Sequence, residues 1–434
     1  MACHSNDSFL SYLLRFWNPP FRSRGVAIRT KGQPASDTSS GVITKNGRSP
    51  TSDTSSEARK SRLLRPARQG SVPHDGVRDG RITKKWAGKE KERPSRGLRN
   101  SATNFCYRNA TLQCLIHLPE FCDYLKKIHS SCAVVGKHCL VCALQDLVWA
   151  YWSGVGICPP PKGPSKQLTR FNRALKACIS EGHLMEEDIK YGHQSDPFEF
   201  LQYLLEALED EELPADGLKQ SDLFNIEHEV EWTCEDCGKV HIPNGQAVGF
   251  GHGLGLALNI QNPQTGLTML EYLRCNEYSE ECDIRCESAE CIANFGKNAE
   301  GRIRIRQKFI VQAPEVLVIR LVRYTSMWDY EEQEQVHTKI AEGATFEEYL
   351  DLTEFTRSEE PTMYQLQGVV AHNGETINSG HYIAAVRKAD GKSFCSINDD
   401  VKIGKENRGC VEELEFPTSR GEDFTPYVLF YSKI

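Results

Sequence analysis

A thiol, an imidazole and a carboxamide can together cleave an acyl bond, and the chain holds such a set in the order Cys106, His381, Asn398. Cysteine attacks as its thiolate. A histidine within reach takes the thiol proton as general base and later returns it to the leaving amine. An Asn or Asp on the other ring nitrogen fixes the imidazole tautomer. Asp399 follows Asn398 directly and is a second candidate for that partner. Asn100 and Asn104 lie just ahead of Cys106, where a side-chain amide can donate to the oxyanion of an acyl intermediate. A lone cysteine is most often a buried structural residue, and His372 is a rival to His381. The set points to catalysis more strongly than any single member.

The neighbouring elements have to bring this set together. After a small polar run, Leu112, Leu115, Ile116 and Leu118 recur at helical spacing. Cys106 is therefore expected at a helix N-terminus, where unpaired N–H groups and the positive end of the dipole favour a thiolate. His381 follows Asn378-Ser379-Gly380 and opens a strand, and Asn398-Asp399-Asp400 ends the next one. Two antiparallel strands joined by a hairpin set these residues side by side. YQLQGVVAHNG, HYIAAVRKADG, KSFCSINDDV and YVLFYSK predict an antiparallel sheet, with Asn-Gly, Ser-Gly and Asp-Gly turn signals between the first strands. PEVLVIRLVRY, from Pro314, reads as a continuous buried strand, and residues 326–352 as a surface insertion with a short return segment. In HQSDPFEFLQYLLEALEDEE, Asp196 is a good N-cap, Pro197 suits the first helical position and Glu199 sits at capping-box spacing. Phe198, Leu201, Leu204, Leu205 and Leu208 give that helix one apolar face.

Seventeen cysteines, an odd number unevenly spaced, argue against a secreted disulfide framework and for thiol or metal chemistry in a reducing compartment. Cys234 and Cys237 form a CxxC followed by Gly, and Cys286 and Cys291 supply a second pair about fifty residues later. Two such pairs can close a tetrahedral four-thiolate site, so a structural zinc is expected there; Cys275 and Cys282 are competing ligands. Cys139 and Cys142 form another CxxC near Cys132 and His138. A metal site is open to that pair, but it leads straight into an apolar helical run, so core packing is the stronger expectation for it.

The charge is divided between two regions. Residues 21–96 hold 19 Lys/Arg against 7 Asp/Glu, a net of +12, so within a total of −7 residues 97–434 carry −19. Residues 1–96 read as a largely disordered basic arm, rich in Ser, Thr, Pro and Gly, that could touch nucleic acid only weakly. The acidic body from Gly97 suits a basic protein partner. No apolar run approaches the roughly 20 residues of a membrane span. Phe9–Trp17 is short and broken by Arg15, and neither a membrane nor a signal peptide is expected.

With these motifs in hand, the chain resembles the ubiquitin-specific proteases. GLRNSATNFCYRNATLQCL is similar to that family's cysteine box, HQSDPFEFL to its Gln-x-Asp-x-x-Glu-Phe-Leu element, and PEVLVIRLVRY to the strand after its fingers. YQLQGVVAHNGETINSGHYIAAVR with INDDV and YVLFYSK is similar to its histidine box. The resemblance spans residues 97–434. It implies an α+β, papain-like cysteine peptidase with a helical thumb holding Cys106, an antiparallel β palm holding His381, and fingers inserted at about 225–310 that carry the zinc knuckle. It implies hydrolysis of the bond after ubiquitin's C-terminal glycine, with Cys106 as nucleophile, His381 as base, Asn398 as third member and Asp399 assisting. Gln194, Asp196, Gly380 and Tyr382 would then line the path of the ubiquitin tail, with Gly380 leaving room for a Gly-Gly channel. Catalysis would need no cofactor, the partners would be ubiquitin and ubiquitinated proteins, and the location would be intracellular, in cytoplasm or nucleus. One residue is inserted before the nucleophile: Asn100 to Cys106 is six steps where the family has five, and Thr103 replaces its Gly. This leaves Asn100 and Asn104 as alternative oxyanion donors, and makes a ubiquitin-binding pseudoenzyme the alternative function. A peptidase for a ubiquitin-like modifier is a third reading.

Overall fold

The computed structural model describes residues 77–78, 82–86, 95–100 and most of 104–434. Outside the description in that last part are 129–131, 133–138, 154–164, 210–219, 242–247, 261–266, 275–278, 284–285, 297–302, 330–333, 341–343, 377–378, 409–423 and residues 235, 357 and 359. Of the two compact units into which the chain divides, Met1–Leu64 lies wholly outside the described residues, and every element named below belongs to Arg65–Ile434.

Helix α1, Cys106–Ile116, is the centre of the unit. All eleven of its residues are buried, polar ones included, which is the pattern of a helix enclosed by the fold rather than lying on it. Most of the polar atoms of its side chains find hydrogen bonds, Arg108 Nη1 being the exception among the described residues. Gln113 donates to the Arg96 carbonyl (2.8 Å) and accepts from the Tyr151 hydroxyl (2.9 Å), while Thr111 donates back to the Tyr107 carbonyl (2.9 Å). Around it lie α2 (Pro119–Lys127), α3 (Leu140–Trp152), α4 (Ser165–Cys178), α5 (Glu186–Tyr191), α6 (Pro197–Glu209) and α7 (Gln220–Phe224). The predicted start of α6 is observed: Asp196 Oδ1 accepts from the Phe198 N–H at 2.6 Å, and the Asp196 carbonyl from the Phe200 N–H at 3.0 Å.

The other face of α1 rests on an eight-stranded sheet. In order across it run β16 (Val401–Arg408), β15 (Ser393–Asn398), β14 (His381–Arg387), β13 (Met363–Asn373), β17 (Thr425–Lys433), β9 (Val316–Val322) and β6 (Leu256–Asn259), with β12 (Tyr349–Asp351) also on β13. Every pairing is antiparallel except β6 with β9, which is parallel. The sheet is covered on both faces, which explains the unbroken apolar run of β9. Val316 and Val318 join the helical core with Val428 and Phe430 of β17, whereas Leu317, Ile319 and Leu321 join a second core with Leu429 and Tyr431.

A second, five-stranded sheet comprises β3 (Asn225–Cys234), β4 (Val240–His241), β5 (Val248–Leu254), β7 (Ser279–Asp283) and β8 (Ile303–Gln312). It corresponds to the inserted fingers, with one difference from the sequence reading: between β5 and β7 the chain returns to the main sheet as β6 and adds helix α8 (Met269–Leu273) before going out again. The region read as a surface insertion is a hairpin of β10 (Tyr324–Asp329) and β11 (Glu334–Lys339), and β12 is the return segment.

The end of the basic arm is attached to the body. A short pair, β1 (Val77–Arg78) and β2 (Ile82–Thr83), leads to Trp86, which is 9% exposed with its ring 5.0 Å from that of Trp152. The Thr83 N–H donates to Asp123 (2.9 Å), and Lys84 pairs with Glu315. Among the described residues, no helix is long and apolar enough to cross a membrane.

Candidate active site

Cys106 is the first residue of α1 and is 1% exposed. No side chain caps the helix at Phe105. The Cys106 thiol accepts instead from the backbone N–H groups of Tyr382, Tyr107 and Cys106 itself, each of which lowers its pKa. Burial outweighs them, and with the charge of Asp399 adding to it the thiol is pushed up to about 11. The helix N-terminus is therefore where the sequence predicts it, but the expected resting thiolate is not: desolvation favours the neutral thiol more than three N–H donors favour the anion. Such a thiol needs a base to act.

The start of β14 brings an imidazole to the same place. The Tyr382 N–H bonded to the Cys106 sulfur belongs to the residue after His381, so the thiol and the imidazole lie at one strand end. His381 Nε2 donates to Asn398 Oδ1 at 2.7 Å. An amide oxygen only accepts, so the proton sits on Nε2 and Nδ1 carries the lone pair. β14 and β15 pair antiparallel, as the hairpin argument requires. Asp399 Oδ2 is 3.8 Å from His381 Nε2, beyond hydrogen-bond reach. His372 is no competing base. It is 1% exposed, bonds through Nδ1 to the Tyr324 hydroxyl (2.8 Å), and burial pushes its pKa down to about 3.

Asp399 has a different task. Its carboxylate accepts from Asn100 Nδ2 at 3.1 Å and from Asn109 Nδ2 at 2.8 Å, and its carbonyl accepts from the Leu98 N–H at 2.7 Å. Its φ of 47° lies in the left-handed region. Gly97 makes the close approach possible, since a Cβ there would lie 2.3–2.4 Å from the Asp399–Asp400 backbone. The segment before the nucleophile is thus bolted to the turn after Asn398. Asn109 carries no assigned role in the sequence, where its signal is its place in the cysteine-box run, one helical turn after Cys106.

The two oxyanion candidates separate. Asn100 gives its amide to Asp399 and its oxygen to the Phe105 N–H (3.3 Å). Asn104, two residues before the sulfur, donates to the Gly192 carbonyl at 3.2 Å. Residues 101–103, where the inserted residue and Thr103 fall, are outside the described residues.

The residues expected along a substrate tail are not equivalent. Gln194 Nε2 is buried and has no hydrogen-bond partner among the described residues. Asp196 is 2% exposed and fully engaged: besides capping α6 it accepts from Arg320 Nη2 at 2.7 Å and from the Tyr427 hydroxyl, fastening α6 to β9 and β17. Arg320, the one charge inside the apolar β9 run, was passed over in the sequence although its position was the signal. Gly380 has φ +121°, and a Cβ there would lie 2.0 Å from the Asn373 carbonyl oxygen. The need for glycine is thus met by contact with β13, whatever passes on the other side. Tyr382 contributes its backbone to the site, while its ring stacks on His372 at 4.3 Å in the core.

Away from this site, Cys234, Cys237, Cys286 and Cys291 gather at the fingers, all four sulfurs within 4.8 Å of one another. Cys234–Cys291 and Cys237–Cys286 are 3.7 and 3.8 Å apart. Tetrahedral zinc with Zn–S bonds of about 2.3 Å holds its sulfurs ~3.8 Å apart, so this donor set fits that ion. Of the competing ligands, Cys275 lies outside the described residues, as does the side chain of Cys282.

A family model described as ubiquitin carboxyl-terminal hydrolase matches residues 96–431. The chain belongs to that family. Curated relatives include ubiquitin carboxyl-terminal hydrolase 17-like protein B of Mus musculus, 25% identical over 359 residues (77% of this chain, 64% of the relative). Ubiquitin carboxyl-terminal hydrolase 25 of Arabidopsis thaliana is 24% identical over 368 residues (80% and 48%). The chain thus spans about half to two thirds of the length of these hydrolases. Among solved structures, the SAGA Ubp8/Sgf11/Sus1/Sgf73 DUB module bound to ubiquitin aldehyde contains a similar chain, with TM-score 0.60, 22% identity and coverage of 80% of this chain and 71% of that one. The Ubp8-Sgf11-Sgf73-Sus1 SAGA DUB module also contains a similar chain, with TM-score 0.55, 23% identity and coverage of 80% of this chain and 69% of that one. At this identity the likeness shows the fold alone, α+β, with its helical part and its β-sheets.

Proposed function

We propose that this hydrolase-family chain is a thiol-dependent deubiquitinase, with Cys106 as nucleophile, His381 as general base and Asn398 as its orienting partner. The observation that carries the reading is the 2.7 Å bond from His381 Nε2 to Asn398 beside a strand end whose next N–H reaches the Cys106 sulfur. His381 Nδ1 takes the thiol proton, and the sulfur attacks the carbonyl carbon after ubiquitin's last glycine. The oxyanion collapses as His381 returns the proton to the leaving amine, giving a thioester. A water deprotonated by the same imidazole then releases the acid and the thiol. Both amides are engaged, Asn100 with Asp399 and Asn104 with the Gly192 carbonyl; the oxyanion is assigned to Asn104, two residues from the sulfur along the chain, with the N–H groups at the uncapped start of α1. The unpartnered Gln194 amide receives a tail carbonyl, and the −19 body attracts a basic ubiquitin face. The catalytic domain takes in the 82–86 segment and runs from there to the C-terminal strand. The fingers hold a structural zinc on Cys234, Cys237, Cys286 and Cys291, and the seventeen cysteines support an intracellular setting.

The test is labelling by ubiquitin bearing a C-terminal electrophile. The wild-type chain is labelled and Cys106→Ala is not; folded wild-type protein that resists labelling refutes the activity. The second reading, a ubiquitin-binding pseudoenzyme, draws support from the high thiol pKa and the commitment of Asn100. It requires ubiquitin binding without turnover, and any Cys106-dependent hydrolysis eliminates it. Parallel assays on ubiquitin and ubiquitin-like substrates separate the third.

A further inference from the structure

A positive charge is buried close to the nucleophile and takes no part in the steps above. Arg108, two residues after Cys106, is 1% exposed. A cation in a core has to be compensated, so its contacts show what holds it there. Its Nε donates to the Tyr107 hydroxyl at 2.8 Å, and its Nη2 to the Asp188 carbonyl at 2.5 Å. The flat guanidinium lies over the Phe105 ring, 4.1 Å from the centroid. Nη1 is buried with no hydrogen-bond partner among the described residues. Each of these contacts is with a neutral group, and a methionine would fill much of the same space without desolvating a charge. Stability therefore does not explain the residue, whereas its geometry does.

That geometry joins two segments assigned to the substrate. Phe105 precedes the nucleophile, at the N-cap of α1. Asp188 belongs to α5, a helix of six residues that depends on anchors to keep its shape. The Asp188 carbonyl also accepts from the Gly192 N–H at 3.0 Å, so Arg108 supplies a cation at the C-terminal end of α5, where the dipole favours one. Gly192 lies against the same Phe105 ring: a Cβ there would be 3.0 Å from Phe105 Cε1. Its carbonyl accepts from Asn104. Two residues further on stands Gln194, whose buried amide has no partner among the described residues. Arg108, Phe105 and Gly192 thus make one contact unit, with Asn104 on one of its segments and Gln194 on the other.

We infer that Arg108 is a positioning residue: it clamps the end of α5 to the start of α1, so that Asn104 and Gln194 are presented from one rigid wall. This rests on the deubiquitinase reading, which gives those amides to the oxyanion and to the ubiquitin tail. A side chain that places both acts on kcat through the first and on KM through the second.

The test replaces Arg108 by Met in the full chain. The melting temperature is expected at or above that of the wild type. On a ubiquitin substrate kcat falls about ten- to a hundredfold and KM rises about three- to tenfold. Adding Asn104→Ala to Arg108→Met lowers kcat no further, within about twofold, because the two changes remove one contribution. Hydrogen exchange, read by peptide mass, accelerates at 104–106 and 186–194 and not elsewhere. Unchanged exchange at those segments, unchanged kinetics, or losses that multiply in the double variant overturn the inference. So does a lower melting temperature with protection lost throughout, which would make Arg108 an ordinary core residue. Should Arg108→Met fail to fold, Arg108→Lys is read in the same way. It keeps the charge but neither the flat stack nor the fork, and a Lys variant equal to the wild type in exchange and kinetics refutes the clamp. Exchange does not involve ubiquitin. A wild type that resists the ubiquitin probe, with both segments loosened in Arg108→Met, would refute the proposed activity and leave the clamp standing.

Discussion

Replacing Asp399 by Asn distinguishes a structural clamp from a catalytic partner. The carboxylate is 13% exposed and accepts from two amides, Asn100 and Asn109. Asn is enriched among residues in the left-handed region, so φ of 47° stays accessible and the turn is not strained by the change. An Asn side chain has one acceptor oxygen, so one of the two amides meets an NH2 group instead. A hydrogen bond to a charged group contributes about 1.5–3 kcal/mol, and a buried donor left unpaired costs about 1–3 kcal/mol. For this partly screened site we expect a loss of about 2–4 kcal/mol, read as a lower denaturant midpoint at unchanged m. The charge acts in the opposite sense on Cys106. Asp399 raises that thiol's pKa, so Asp399→Asn lowers it and iodoacetamide alkylates Cys106 faster at pH 8 in the less stable protein. Cleavage of a ubiquitin substrate falls about ten- to a hundredfold in kcat/KM as the segment before the nucleophile shifts. Asn398→Ala, which removes the acceptor of the His381 proton, falls further, about 10³- to 10⁴-fold. A variant as stable as the wild type, or a slower Cys106, refutes the clamp. A loss equal to that of Asn398→Ala would make Asp399 the third member of the triad.

Three further outcomes follow from buried groups. With the Cys106 thiol at about 11, its alkylation rate in the free protein rises about tenfold per pH unit from pH 7 to 9.5; a plateau below pH 8 would show a thiolate already formed. Trp86→Ala, or a chain begun at Gly97, loses a buried ring packed on Trp152 and is destabilised by about 3–5 kcal/mol, checked by thermal melting; an unchanged melting temperature would return residues 82–86 to the arm. Glu120 is pushed up to about 8 by burial, against the opposing influence of Ser432 and Lys84. The folded state then keeps a proton that the unfolded chain releases above about pH 4.5, so stability falls as pH rises from there to 8. Glu120→Gln removes that penalty and is expected to be more stable by about 1–3 kcal/mol at pH 7 and no more stable at pH 4, measured by denaturant titration at both pH values.

How far the sequence could be read depended on whether a residue's role was local. Asp196 as a cap, Cys106 at a helix start and His381 opening a strand all rest on neighbours within a few positions, and all three appear as expected. The pairing of His381 with Asn398 was also legible, because a hairpin fixes which residues oppose one another. Arg320 and Asn109 were not, because their partners lie 124 and 290 residues away. The resting state of Cys106 was misjudged for a related reason. Helix position is local and visible, but desolvation is a sum over everything packed around the sulfur, and here the sum is larger.

The same distinction explains how the chain accommodates an extra residue before its nucleophile. Position along the chain fixes Asn100 relative to Cys106 only if the six steps between them are rigid. In the fold Asn100 is held from its far side, by Asp399, in a turn whose own place is set by β15. Leu98 and Asn109 are attached to that same residue, one before the insertion and one after it. Asn100 and Asn109, on either side of the added residue, are thus held by one and the same carboxylate. On the proposed reading the oxyanion falls to Asn104, the amide nearest the sulfur along the chain. Asn104→Ala should therefore lower kcat with little effect on KM, since a donor that acts only on the developing oxyanion contributes nothing to ground-state binding. Asn100→Ala should act through stability, as Asp399→Asn does. Steady-state kinetics on a ubiquitin substrate, run beside thermal melts of both variants, separates the two, and the reverse pattern would place the oxyanion at Asn100 after all.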